Sequence, residues 1–137
     1  MKSYSRGITI IEAIISIMIT GFALVGMLRL YSLGAIQSSI VRHKVMAMNI
    51  AQAEIEGLIN KGYETISQEI NQGVYPKTQA AKIDTGKTGS ADDDINGTMI
   101  TSISSVTEGY KITATISWND YYGPMSEIAA SIVTSYL

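Results

Sequence analysis

An α+β fold is predicted for this chain: one long N-terminal helix, apolar on all sides in its first half and amphipathic in its second, packed on a small antiparallel β-sheet. Three observations carry this expectation. Residues 8–28 are almost all apolar and hold a single charge, Glu12. Beyond them, apolar residues recur every three or four positions, and no proline occurs before Pro76. Toward the C-terminus the period changes to two, the alternation of a half-buried strand. These shifts divide the chain into a basic peptide at 1–7, a membrane-length helix at 8–28, an amphipathic helix at 29–62, a loop-rich connection at 63–97 and an antiparallel sheet at 98–137.

A run of about 20 apolar residues crosses the roughly 30 Å hydrocarbon core of a bilayer, and 8–28 has that length. Lys2 and Arg6 precede it. Because positive residues stay on the cytoplasmic side, a single pass through the cytoplasmic (inner) membrane is expected, with the C-terminal domain outside the cytoplasm. Arg29 follows the run, at a depth from which a long side chain reaches back to the interface. A secretory signal peptide fits less well, since its apolar region runs about 7–15 residues and ends in a small-residue cleavage site; no such site follows here.

Charge is divided in the same way. Residues 1–48 carry Lys2, Arg6, Arg29, Arg42 and Lys44 against Glu12 alone, whereas 49–137 carries five bases against eleven acids. Opposite signs suit one part beside a membrane surface and one part in water. The acidic part argues against nucleic acid as a partner, because phosphates call for a basic footprint. With no cysteine in the chain, disulfides and thiolate metal sites are excluded.

Glu12 is the residue the apolar run does not explain. An ionisable group at membrane depth is a functional hypothesis whose partner has to be named. No Lys, Arg or His lies within a helical turn on its C-terminal side. The remaining cation is an α-amino group, which cleavage after Gly7 would place on Ile8. The helix dipole favours a carboxylate there by only about 0.3–1 kcal/mol. Pairing with a neighbouring subunit's amine would matter more, because an unpaired buried charge costs several kcal/mol.

The stretch SRG followed by ITIIEAIISIMI resembles the leader and first helix of the type IV pilin superfamily: a short basic leader ending in Gly7, the hydrophobic Ile8, then Thr9 and Glu12. The resemblance implies that a prepilin peptidase cuts between Gly7 and Ile8 and that the Ile8 amine is N-methylated. It also implies that Glu12 meets the N-terminal amine of an adjacent pilin or pseudopilin subunit, and that an inner-membrane assembly platform moves the segment from the lipid bilayer into a filament.

From 29 onward, Val41, Val45, Met48, Ala51, Ile55 and Leu58 define one face of a helix, with Arg42, Asn49, Gln52, Glu56 and Asn60 largely off it. Lys61 followed by Gly62 is a stop signal. One helix from Ile8 to Lys61 would be roughly 80 Å long at 1.5 Å per residue. Gly21, Gly26 and Gly34 either melt it locally or let neighbouring helices approach. The methionines read as packing. His43, between Arg42 and Lys44, reads as part of a solvated face.

Residues 71–98 show no sustained period and read as a loop. Strand character follows at 98–106, 110–118 and 125–137. It is clearest where Tyr110, Ile112, Ala114, Ile116 and Trp118 share one face. Trp118 is expected to cap the core. The pattern AMNIAQAEIEGLINKGYETIS followed by ITATISWNDYYG resembles minor pilins of the pilus modification type and the I-type pseudopilin of type II secretion.

Little else carries chemistry. Asp92, Asp94 and Asn96 fit the opening of a calcium loop, but its twelfth position is Ile103 rather than the bidentate Glu required. An acidic turn with Asn96-Gly97 at its tip is the default reading, a looser calcium site the minority one. No resident metal or cofactor is expected. With one His, no Cys and no phosphate-cradling loop, no catalytic constellation forms and an enzyme is not expected. The leading expectation is a structural filament subunit, a minor pilin or pseudopilin of a type IV pilus or type II secretion filament. The alternatives are a tip-located binding, adhesion or DNA-uptake pilin, and an unrelated signal-anchored membrane protein.

Overall fold

The structure, a computed structural model, describes residues 9–84 and 94–134. Its elements are α1 (Ile10–Lys61), α2 (Tyr63–Asn71), β1 (Lys77–Asp84), β2 (Ile95–Val106), β3 (Gly109–Asp120) and β4 (Gly123–Thr134). The fold is α+β, a long N-terminal helix packed on a four-stranded antiparallel sheet of order β1-β2-β3-β4. The chain divides into two units, Met1–Ser39 and Ile40–Leu137.

In the first unit α1 runs unbroken through Gly21, Gly26 and Gly34. Apart from the helix's own backbone, no atom lies within 4 Å of the place a Cβ would take at any of them. Each large apolar side chain from Ile10 to Leu33 is at least 51% exposed. Covering a large apolar side chain is worth about 1.5–3 kcal/mol, so this surface needs a neighbour other than water. The helix is long and apolar enough to cross a membrane.

The second unit holds the core. The buried face of α1 is Ile40, His43, Ala47, Ala51, Ile55 and Leu58, whereas Val41 and Val45 are 57% and 54% exposed. The expected stripe is therefore rotated at its N-terminal end. The reason lies in the sheet. Thr101, Ala114 and Ala129 stand opposite one another across β2, β3 and β4 and are all buried. Bulkier rows flank them, with Met99 beside Ile116 on one side and Ile103 beside Ile112 on the other. Ala47 and Ala51 are wholly buried in the same core, where small side chains suit a row of Thr101, Ala114 and Ala129 better than β-branched valines would.

Gly62, at φ 82°, ends α1 and donates its N–H to the Ile59 carbonyl at 3.0 Å. α2 then folds back, burying Ile66 completely. Lys61 and the Tyr75 hydroxyl each donate to Glu69, both at 2.7 Å, and hold its carboxyl below the ordinary range. The connection expected at 63–97 thus contains α2, β1 and the start of β2. β1 escapes the period-two reading because only Ala81 and Ile83 among its apolar residues point inward, and it lies at the sheet edge.

Asn96-Gly97 is not a turn tip but lies within β2, with Gly97 opposite Trp118. A Cβ on Gly97 would come within 2.8 Å of both Ile83 Cδ1 and the Ser117 carbonyl oxygen, so the glycine is there for space. Trp118 closes the core at this end, 4% exposed.

The packing sets the expected effect of three substitutions. Ile116→Ala should cost about 2–5 kcal/mol, as expected for a fully buried aliphatic side chain, and Val45→Ala less than about 0.5 kcal/mol. The Thr101 hydroxyl is buried without a hydrogen-bond partner, so Thr101→Val should stabilise by about 1 kcal/mol. Urea unfolding of a chain beginning near Tyr31, followed by Trp118 fluorescence, measures all three. A costly Val45→Ala would restore the unrotated stripe.

Candidate functional site

The cleavage position Gly7 and the methylation position Ile8 lie outside the described residues, as does Asp92. Glu12 lies in the first turn of α1. Its N–H donates to Thr9 Oγ1 at 3.3 Å, and the Thr9 carbonyl accepts the N–H of Ala13 at 3.1 Å. Thr9 is thus the N-cap and Glu12 the third helical residue, the spacing of a capping box. Thr-x-x-Glu ahead of an apolar run was the sequence signal for this, and the pairing argument for Glu12 passed over it. Deeper in the segment, Thr20 Oγ1 donates to the Ser16 carbonyl at 2.8 Å, which satisfies a hydroxyl without water. The Glu12 carboxylate makes no ion pair among the described residues.

Asp94 and Asn96 are the described residues of the calcium reading. The Asp94 carboxylate accepts from Lys82 Nζ at 3.0 Å, and Asn96 is a strand residue opposite Lys82. Among the described residues no group of three or more His, Asp or Glu side chains is arranged to hold a metal ion.

The most organised polar cluster is one the sequence did not reveal. His43 is not on a solvated face; its side chain is 5% exposed, between Asp84 at 9% and Asp120 at 4%. Nδ1 lies 2.8 Å from Asp120 Oδ2 and Nε2 lies 3.3 Å from Asp84 Oδ2. Arg42 adds a cation on Asp84. Asp120 also accepts from Trp118 Nε1 at 3.2 Å and, through Oδ1, from the Tyr121 amide at 2.7 Å. Burial pushes the Asp120 carboxyl up, but the His43 hydrogen bond, with those of Tyr121 and Trp118, outweighs it and leaves the group below its ordinary value.

These residues come from α1, the last position of β1 and the last position of β3. The cluster therefore clamps the helix to two strands at one end of the sheet. Both ring nitrogens lie within 3.3 Å of a carboxylate, and all three side chains are nearly closed to solvent.

His43→Ala would leave two buried carboxylates facing each other. Breaking a buried pair costs about 3–5 kcal/mol, and the lower end applies because Arg42 continues to neutralise Asp84. Asp120 gives a pH signature. Its carboxyl is depressed in the fold, so its contribution is complete above the ordinary carboxylate range and is lost as pH falls through the lowered folded value. Asp120→Asn should flatten that acid limb while lowering stability at neutral pH, as urea midpoints measured from pH 2 to 7 will show.

Compared with known proteins, the chain matches no family model, no curated protein and no solved structure.

Proposed function

We propose that the chain is a structural subunit of a membrane-derived filament, a minor pilin or pseudopilin of a type IV pilus or type II secretion filament, assembled after a prepilin peptidase cuts between Gly7 and Ile8. One observation carries the reading: a helix segment exposed on all sides and predominantly apolar has a single carboxylate, Glu12, at the fifth position after the Gly7–Ile8 junction. Such a surface suits lipid during storage and sister helices after assembly. A carboxylate at that depth gains most from a neighbour's N-terminal amine. The C-terminal unit, with its own core, remains folded outside the bilayer while the anchor changes surroundings. The partners are the peptidase, other subunits of the same kind and an inner-membrane assembly platform; the work is assembly rather than catalysis.

The capping geometry favours a second reading, an anchored membrane protein without a filament, in which Glu12 merely completes the start of α1. The two readings separate by substitution. In the filament, Glu12→Ala leaves a buried amine uncompensated, about 3–5 kcal/mol. Glu12→Gln should be only slightly milder, since the amide keeps hydrogen bonding and loses charge. Thr9→Ala removes the cap at a cost of about 1 kcal/mol but keeps the charge, and should assemble. Co-purification of each variant with sheared filaments is the measurement. Incorporation of Glu12→Ala at the normal level would leave the cap as the whole role of Glu12. The mature chain should begin at methylated Ile8 by intact mass, and Gly7→Val should remain uncut in the membrane. Met1 retained in filaments would end the processing proposal.

A further inference from the structure

Asn96-Gly97-Thr98 is the only Asn-X-Ser/Thr sequence in the chain, the acceptor pattern for an N-linked saccharide on a protein surface. The triplet lies in β2, where successive side chains take opposite faces of the sheet. Met99 and Thr101 are buried in the core. Asn96 and Thr98 therefore stand together on the outer face, and both are exposed. Asn96 is also unengaged. Its cross-strand partner Lys82 turns to the Asp94 carboxylate at 3.0 Å, and the Asn96 side chain makes no hydrogen bond among the described residues.

The surface beside Asn96 suits a sugar. A depression of about 580 Å3, lined by Asn96, Thr98, Ser117, Asn119, Pro124 and Ser126 among others, falls within the roughly 300–1,000 Å3 of small-molecule sites. Thr98, Ser117 and Ser126 form a row across three strands, and Asn119 stands opposite Pro124. No charged residue lines it, so an ionic ligand finds no counter-charge. Hydroxyls and amides both donate and accept hydrogen bonds, as the hydroxyls of a sugar require, and the Pro124 ring offers an apolar contact to the C–H face of a sugar ring.

We infer that Asn96 carries an N-linked saccharide whose first sugars rest in this depression. The inference rests on the proposed placement of the C-terminal unit outside the cytoplasm, not on the filament. A carboxamide nitrogen is a weak nucleophile because its lone pair is shared with the carbonyl. An oligosaccharyltransferase therefore has to bind and polarise the peptide, and the Thr98 hydroxyl is its second handle. The donor is an oligosaccharide carried on a polyprenyl diphosphate. Asn96 Nδ2 attacks C1 of the first sugar and a C–N bond forms. The C1–O bond to phosphate breaks, the diphosphate leaves with the electron pair, and one proton of the nitrogen passes to the transferase. The step belongs to the chain before β1 and β3 pair with β2 on either side, because a paired strand cannot bend into an enzyme. Once folded, the saccharide lies on the outer face and leaves the core undisturbed.

The test is mass spectrometry of the full-length chain purified from the membranes of the cells that make it, denatured so that only covalent groups remain. Trypsin releases residues 88–111, in which Asn96 is the only asparagine. A saccharide on this peptide, placed at Asn96 by fragmentation, is expected. Asn96→Gln and Thr98→Val should each lose it, and Thr98→Ser should keep it. Thr98→Val retains the asparagine, so loss there assigns the acceptor role to the triplet rather than to an exposed amide. A bare Asn96, a saccharide on a serine or threonine instead, or Asn96 converted to Asp without a saccharide overturns the inference. The same spectra read the N-terminus. A bare Asn96 on a chain that begins at methylated Ile8 ends this inference and leaves the filament standing, and a saccharide on a chain that retains Met1 does the reverse.

Discussion

Small side chains from both α1 and the sheet meet in one buried core, and much of the C-terminal unit depends on that packing. Thr101, Ala114 and Ala129 form the trough, and Ala47 and Ala51 are the helix residues buried in that core. Protein interiors pack at the density of organic crystals, so a larger group in this row would lift the helix rather than be absorbed. The His43 contacts rely on the same closeness. Its ring meets carboxylates from two strands within 3.3 Å, and a helix held farther away would admit water between charges that attract strongly only while dry. The unsatisfied Thr101 hydroxyl reflects the same constraint: the position needs a short side chain, and this one brings a polar atom with it.

The two units place carboxylates in apolar surroundings by different means. Asp84 and Asp120 are matched within the chain by Arg42 and His43, and the remaining lone pairs of Asp120 take an indole and an amide. Glu12 has a cap for its backbone and no partner for its charge among the described residues. A complete network of this kind stabilises a fold already formed.

Much of the architecture was legible from periodicity. The strands β2, β3 and β4 follow the alternation around Ile112, Ala114 and Ile116, and α1 ends where Lys61 and Gly62 mark it. The rotation of the buried face was hidden because Ala47 and Ala51 weigh little as hydrophobes, while Val41 and Val45 weigh heavily and lie outside. Steric fit against the trough decided the matter, and a single strand of text does not carry it. β1 was hidden by its polar composition, and Asn96-Gly97 by a dipeptide that normally marks a turn but here makes room beside Trp118. The His43 cluster joins positions 43, 84 and 120, which only the tertiary fold brings together. The Thr9 cap was local and readable.

The strands lie side by side in the order in which the chain is made, and this gives the domain a clock. α1 is complete when less than half of the chain has been synthesised. Yet Ile112, Ile116, Ala129 and Val133, which cover its buried face, all belong to the two final strands. Between those moments an apolar stripe stands without its cover, the kind of surface on which incomplete chains aggregate. Completion of β3 and β4, rather than formation of α1, therefore closes the core of the C-terminal unit.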